Sequence, residues 1–577
     1  MPTSVLEPGA GVAVMPSRPG RRWVPRWRGA ESVAPGLWVV VTFFLVLVPV
    51  GGLIWKSLQL PETGSVGVDN YTTVLRQADV LEAIFNSFWI GAATTAGSLA
   101  IAVPFAFLVS RTDMPGRRFF RSVTVLTFAA PSFIAAMGWI LLLGPRSGLL
   151  NDYVITPLGL PAFNIFSPQG IILVLTFFLY PLVFLPITDA LDNMDSRLEE
   201  ASESLGASRG HTLRKITLPL ITPPMFSGSL LVFISAFVIF GPVSLLGGPV
   251  GFQTIPTAML QLMTFPPRIE YAAVLGLPVL VVLGLLLILQ RRLYGRRRYT
   301  TVGGKPGQRR QVRLGAWRWP AWGFGCGVMT VSVVLPFGVL LLTSFRKAIG
   351  LPLAPENMVL GDNYLALLDQ PEILVSFWNS LWIALVATIA SLLVAVLAAW
   401  LLERSRSRLR ALIQPSMLAP LAFPGAVLGI AMVITYSGSP FWIGGTLTIM
   451  LIAYLIRVVP QSFTYAHAGF KQINSETEEA ARSLGASWTE TMRRVTVPLL
   501  RGPLLSIGVL NFVLLFRELD VSIFLYTGTN SVAPVVLYNL ATESQFQLMG
   551  ALAVVMLVIN LGVVLLARRL LGVRITA

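Results

Sequence analysis

Cysteine is almost missing from this chain of 577 residues: there is one, accompanied by two histidines. A lone thiol cannot build a disulfide framework, and one cysteine with two histidines cannot assemble a zinc-type ligand cluster. Charge is scarce too. Asp, Glu, Lys and Arg make up 12% of the residues, about half of what a soluble domain carries. No G-x-x-x-x-G-K-[ST] phosphate loop occurs, and "GGKPGQ" from Gly303 has the wrong spacing. His211 and His467 lie in different halves, with no nucleophile or metal partner in sequence reach. A membrane enzyme is therefore disfavoured, and energy for any uphill process must come from a partner.

What the chain has instead is apolar length. Hydrophobic residues make up 54%. About twelve apolar runs are long enough to cross a bilayer as helices. They fall near 36–56, 86–110, 122–144, 169–190, 225–247, 272–290, 321–344, 379–402, 412–435, 443–467, 504–526 and 547–567. Helices are required because backbone polar groups in lipid must bond within their own segment. A β-barrel would show short alternating segments instead. The class is all-α integral membrane, and Cys326 falls inside a span. "GRRWVPRW" faintly resembles a twin-arginine export signal. The apolar run after it is too long for a signal peptide and has no small-residue cleavage site, which predicts an uncleaved first span.

The net charge of +16 invites a nucleic-acid reading. Its placement argues for topology instead. Arginines cluster at Arg18 to Arg28, at Arg111 to Arg121, between Arg291 and Arg318, at Arg404 to Arg410, and at Arg568 and Arg569. These groups fall on one side of successive spans, which the positive-inside rule assigns to the cytoplasm together with both termini. The partner is the lipid bilayer, not nucleic acid.

The chain repeats itself. "DNYTTVLRQADVLEAIFNSFWI" from Asp69 matches "DNYLALLDQPEILVSFWNSLWI" from Asp362, with Asn86-Ser87 and Trp89-Ile90 aligned to Asn379-Ser380 and Trp382-Ile383. Further on, "EEASESLGASRGHTLRKITLPL" from Glu199 matches "EEAARSLGASWTETMRRVTVPL" from Glu478. The offset shrinks between the two matches, so the outer loop near 145–168 is longer in the first half. Two homologous six-helix halves in the same orientation follow. The expected division is a basic tail over 1–35, a first membrane domain over 36–295, a solvated cytoplasmic linker over 296–320 and a second membrane domain over 321–577.

The second repeat is too polar for its surroundings. Leu198, Ala201 and Leu205 recur at helical spacing. Gly206 suits a helix C-terminus, where a left-handed turn favours glycine. Ser208 is placed to cap a second short helix, and Ser487 with Glu490 forms an S-x-x-E capping box in the second copy. Pro219 and Pro498 are predicted to close that second helix before the next span. Each half thus presents helix, glycine turn, helix on its cytoplasmic side. A membrane-surface helix needs only general amphipathic character, not a fixed glycine and proline.

These residues resemble the EAA loop of permease subunits of binding-protein-dependent ABC importers, E-A-A-x3-G-x9-I-x-L-P. The matches are Glu200-Ala201-Ser202, Gly206 and Ile216 to Pro219, then Glu479-Ala480-Ala481, Gly485 and Val495 to Pro498. The resemblance covers nearly all of the chain after its first 35 residues or so. It implies the type I ABC importer permease fold in a bacterial inner membrane. It also implies docking of two ATPase subunits, one per loop, through Glu199, Glu200, Ala201, Gly206, Pro219, Glu478, Glu479, Ala480, Gly485 and Pro498, with the glutamates meeting a cation on the ATPase. A periplasmic or lipid-anchored binding protein would deliver cargo. No cofactor is expected on this chain, and ATP would be used by the partner. "RTDMPGRR" from Arg111, "PLAFPGAVLGIA" from Pro420 and "FRELDVSIFLYTGT" from Phe516 resemble the iron(III)-type branch, which makes iron(III) the leading cargo over thiamine, a phosphonate or another small solute. "DMPGRR" also resembles the D-R-x-G-R-R loop of major facilitator transporters, the rival class. It occurs once, lacks the arginine after the aspartate, and leaves both glycine turns unexplained.

Ionisable groups at span depth cost about 2.5–3.5 kcal/mol or more. The second half holds Arg457, Arg517, Glu518 and Asp520, whereas the matching "VIFGPVSLL" of the first half holds none. Either Glu518 or Asp520 meets a cationic cargo in the path, or these residues form a structural ion pair with Arg457. On a helix, residues two apart point to different faces. The depth difference expected between Arg457 and Arg517, on the order of 10 Å, weighs against a direct pair.

Overall fold

Backbone amides in lipid need partners inside their own segment, and this chain supplies them by coiling. The computed structural model describes residues 47–571 apart from 62, 128–129, 196, 265, 296–311 and 405–409. The 1–35 tail, the start of the first span and most of the 296–320 linker lie outside the described residues. Among the described residues no strand forms, and the β-bridges stand isolated.

The first half runs through α1 (Val48–Leu58), α2 (Ala78–Arg111), α3 (Ser132–Leu143), α4 (Pro168–Asn193), α5 (Gly210–Val238) and α6 (Ile269–Gln290). The second runs through α7 (Gly315–Thr343), α8 (Pro371–Arg404), α9 (Gly425–Tyr436), α10 (Leu447–Gln472), α11 (Trp488–Phe516) and α12 (Phe546–Ala567). Each apolar run of the sequence thus meets a helix. Among the described residues, nine are long and apolar enough to cross a membrane. The count is ten if the bent pair Arg410–Ala422 and Gly425–Tyr436 is one span.

The runs at 122–144 and 412–435 are not continuous helices, and proline is the reason. Pro131 and Pro424 sit just before α3 and α9 in extended conformation, with ψ of 140° and 154°. The second-half pair bends by 106° there. The runs at 225–247 and 504–526 also break, at Ile239 and Arg517. Irregular backbone at this depth is tolerated only where protein surrounds it or where it lines a water-filled cavity, and residues at these breaks, among them Pro131, Phe423 and Arg517, line one cavity at the joint between the halves. The longer outer connection expected in the first half is present: it runs from Leu143 to Pro168, against Tyr436 to Leu447 in the second.

Each half has the same nucleus, α2 with α4 and α5, and α8 with α10 and α11. The first helix of each half then reaches across: α1 packs on α9 and α7 on α3. Glycines permit both crossings. A Cβ at Gly52 would lie 2.6 Å from Thr435 Oγ1, and one at Gly138 would overlap the backbone carbonyl of Pro336. Gly138→Val is therefore expected to destabilise by about 1–3 kcal/mol or more through overpacking. A thermal melt of purified protein checks it, with Gly338→Ala, whose Cβ meets nothing within 4 Å, as the unaffected control.

The polar residues of the first repeat are brackets, made twice. Asn70 donates to Ser57 O and Gln59 O, and Asn363 to Ser344 O and Arg346 O. Tyr71 pairs with Ser57 at 2.7 Å and Tyr364 with Ser344 at 2.8 Å. Asn86 donates to Gln253 O and Asn379 to Ser531 O. Ser87 accepts from Ile255 N–H and Ser380 from Ala533 N–H, both at 2.8 Å.

Candidate functional site

The polar repeat folds as a helix, a left-handed glycine and a second helix in both halves. The first helices are Arg197–Ser204 and Ser475–Ser483. Gly206 and Gly485 follow with φ of +86° and +89°. Ala207 N–H donates back to Ser202 O, and Ala486 N–H to Ala481 O, closing the helix end. Nothing lies within 4 Å of a Cβ placed at either glycine, so conformation and not space demands the residue. Ser208 accepts from His211 N–H, and Ser487 with Glu490 completes its capping box.

Pro219 and Pro498 do not close the second helix. π turns at Leu213–Thr217 and Met492–Thr496, inside α5 and α11, carry each helix on without a stop, with each proline in the turn that follows. A proline there loses no helical hydrogen bond that the turn had not already displaced. The apolar spacing at Leu198, Ala201 and Leu205 does not mark a packed face either. Ala201 is exposed, and Leu205 and its counterpart Leu484 are 89% and 90% exposed.

The paired glutamates separate by direction. Glu200 and Glu479 face solvent, as does Ala480. Glu199 and Glu478 turn inward. Glu199 lies 3.6 Å from Arg111 Nη1 and accepts from Thr217 Oγ1 at 2.7 Å. Glu478, 2% exposed, lies 3.3 Å from Arg404 Nε and accepts from Thr496 Oγ1 at 3.3 Å. Arg404 also donates to Ile473 O at the end of α10. Arg111 and Arg404 are the last residues of α2 and α8, so each loop is pinned to the end of a long span. The arginines and threonines of these clamps were missed in the sequence, although they recur at the repeat's own spacing. The linker, expected as a solvated tether, is docked where it is described. Val312 N–H donates to Arg111 O, and Asp113 accepts from Leu314 N–H.

The membrane charges meet at the joint between the halves. Arg457 Nε lies 2.8 Å from Glu518 Oε2, so the direct pair forms. The depth argument assumed straight helices, but α11 stops at Phe516 and the chain turns back toward α10. Glu518 Oε1 accepts from Val521 N–H, and Tyr454 donates to Glu518 O. Asp520 accepts from the backbone N–H groups of Phe240 and Gly241, and Arg517 donates to Ala130 O. The uncharged first-half segment thus supplies the backbone partners of the charged second-half segment. Residues 518 and 520 were expected on different helix faces. Because this stretch is not helical, both line one cavity of about 290 Å³ with Arg457, Arg517, Pro131 and Gln461. Among the described residues, no group of three or more His, Cys, Asp or Glu could hold a metal ion.

Two inward clamps and two outward loop tips are thus repeated at matching places in the two halves. The family of binding-protein-dependent transport system inner membrane components matches residues 102–299 and 391–572. The chain belongs to that family. This permease is similar to the ferric transport system permease protein FbpB of Actinobacillus pleuropneumoniae, at 25% identity over 91% of this chain and 76% of that one. It is also similar to a probable ABC transporter permease of Sinorhizobium fredii, at 27% identity over 94% and 96% of the two chains. A putative ferric transport system permease of Haemophilus influenzae is 27% identical over 86% of this chain and 78% of its own. The permease is a multi-pass inner-membrane transport subunit of an ABC importer, and ATPase and substrate-binding partners belong to that role.

Because both carboxylates at the joint are held by protein groups, their first effect is structural. Glu518→Gln is expected to lower thermal stability by about 1–3 kcal/mol through loss of the charged partner of Arg457. Asp520→Asn keeps an oxygen for the two backbone N–H groups, so uptake per folded molecule is expected to stay within about twofold. Melting curves paired with uptake normalised to inserted protein check both.

Proposed function

We propose that this permease carries iron(III) inward, driven by two ATPase subunits that seat on the two glycine-turn loops. The observation that carries the coupling role is the duplicated loop tip. An exposed leucine, an outward glutamate and a left-handed glycine stand at matching places while the neighbouring glutamate is locked inward. A single exposed leucine carries nothing; what supports a covering partner is that Leu205 and Leu484, 89% and 90% exposed, recur at matching places beside the same glutamate and glycine. Glu200 and Glu479 are the charges placed to meet a cation on that partner, and Ala201, Ala480, Gly206 and Gly485 shape the contact. Pro219 and Pro498 sit in the early turns of the helices that lead from loop to span. ATP is used by the partner, and this chain binds no cofactor of its own.

Iron(III) as cargo is supported by the relatives named as ferric transport permeases. Both termini face the cytoplasm by the placement of the arginines, and a binding protein delivers cargo to the opposite face. The test is reconstitution in proteoliposomes with the ATPase and the binding protein. ATP-dependent accumulation of radioactive iron is expected from the full set and none from this chain alone. Accumulation by this chain without ATPase subunits would overturn the reading.

A further inference from the structure

The cavity at the joint keeps one set of groups that the ion pair leaves unused. Arg457 is 33% exposed there and Glu518 only 7%. The Nε of Arg457 is engaged with Glu518, and among the described residues neither terminal amino group of Arg457 has an acceptor. Gln461 lies one helical turn further along α10 and also lines the cavity, as does Ser132 from the other half. Neither side chain has a hydrogen-bond partner among the described residues. Both carboxylates have partners: each oxygen of Glu518 is engaged, one of them with Arg457, and Asp520 accepts from Phe240 and Gly241 while also interacting with the charge of Arg457.

A bare trivalent ion needs several hard oxygen donors around it, and among the described residues no group of three or more His, Cys, Asp or Glu could hold a metal ion. A planar guanidinium with two open amino groups suits a carboxylate or phosphate oxygen pair. Because the two arginines and two carboxylates already balance, an entering anion is drawn by the unpaired N–H groups inside a poorly screened site.

We propose that Arg457, Gln461 and Ser132 form a station for an oxyanion, and that the metal therefore crosses as an oxyanion complex and not as a bare cation. This rests on the iron(III) reading for its cargo but not for its ligand chemistry. The test uses the complete importer in proteoliposomes, fed with radioactive iron(III) as its complex with carbon-labelled citrate or, separately, with labelled phosphate. The labelled oxyanion is expected inside together with the iron. Arg457→Lys, which keeps the charge and loses the fork, is expected to lower uptake by about tenfold with an unchanged melting curve. In nanodiscs the wild-type permease is expected to bind citrate or phosphate, and the lysine variant to bind the same anion about tenfold more weakly. Iron entering without either label would overturn the proposal and leave the iron reading standing. Oxyanion binding that depends on Arg457, with no iron uptake by an active importer, would overturn the iron reading and support the station.

Discussion

Replacing Gly206 or Gly485 by proline is expected to leave membrane insertion intact and to cut ATP-driven uptake by about 5–150-fold, the span of a typical coupling free energy. Both glycines sit near φ +90°, and proline is fixed near −65°. Proline also removes the N–H groups that Gly206 and Gly485 donate to Glu203 O and Arg482 O. The loop must then leave its shape, while the spans, which fold on their own apolar contacts, need not. Alanine at the same positions has open space but pays about 1–2 kcal/mol for the left-handed backbone, so an intermediate loss is expected. Uptake, ATPase rate and recovery of the ATPase subunit with the permease should be measured together. Normal uptake by both proline variants would remove the coupling role from these loops.

The second large effect concerns the inward clamp. Arg404→Gln alone is expected to destabilise the permease by about 3 kcal/mol, the low end of the cost of stranding a buried charge. Arg482, 3.9 Å from Glu478, supplies partial compensation. Adding Glu478→Gln removes the stranded charge and is expected to restore most of the melting temperature. Uptake is expected to stay low in the double variant, because a loop no longer tied to α8 cannot pass movement to it. That split separates a coupling strut from a merely structural ion pair. Recovery of uptake in parallel with stability would show that the clamp does nothing but hold the fold. The corresponding pair Arg111 and Glu199 should behave alike, with a smaller stability effect because its ion pair is longer and Glu199 less buried.

Much of this was open to inspection in the residues. Apolar runs of span length, arginines on one side, and a repeated E-A-x-x-x-x-G are local signals, and they located the helices, the two halves and the loops. The glycine turns and the Ser487–Glu490 box came out as spelled, because caps and turns are settled within a few residues. The prolines misled in both directions. Pro131 and Pro424 break runs that hydropathy joins, since such a break survives in a membrane only where protein surrounds it or where it lines a water-filled cavity. Pro219 and Pro498 do not end the helices that they were expected to end, since a π turn absorbs them.

By itself the sequence determined a doubled, helical, membrane-spanning chain with two glycine turns, since hydrophobic length and turn chemistry act over short distances along the chain. Only the tertiary structure decided that each half lends its first helix to the other. It also turned Glu199 and Glu478 inward while Glu200 and Glu479 face out, and it brought Arg457, Glu518 and Asp520 around one cavity. Those outcomes depend on which distant side chains and backbone amides are available to satisfy a buried charge, and that is fixed by packing across the whole molecule.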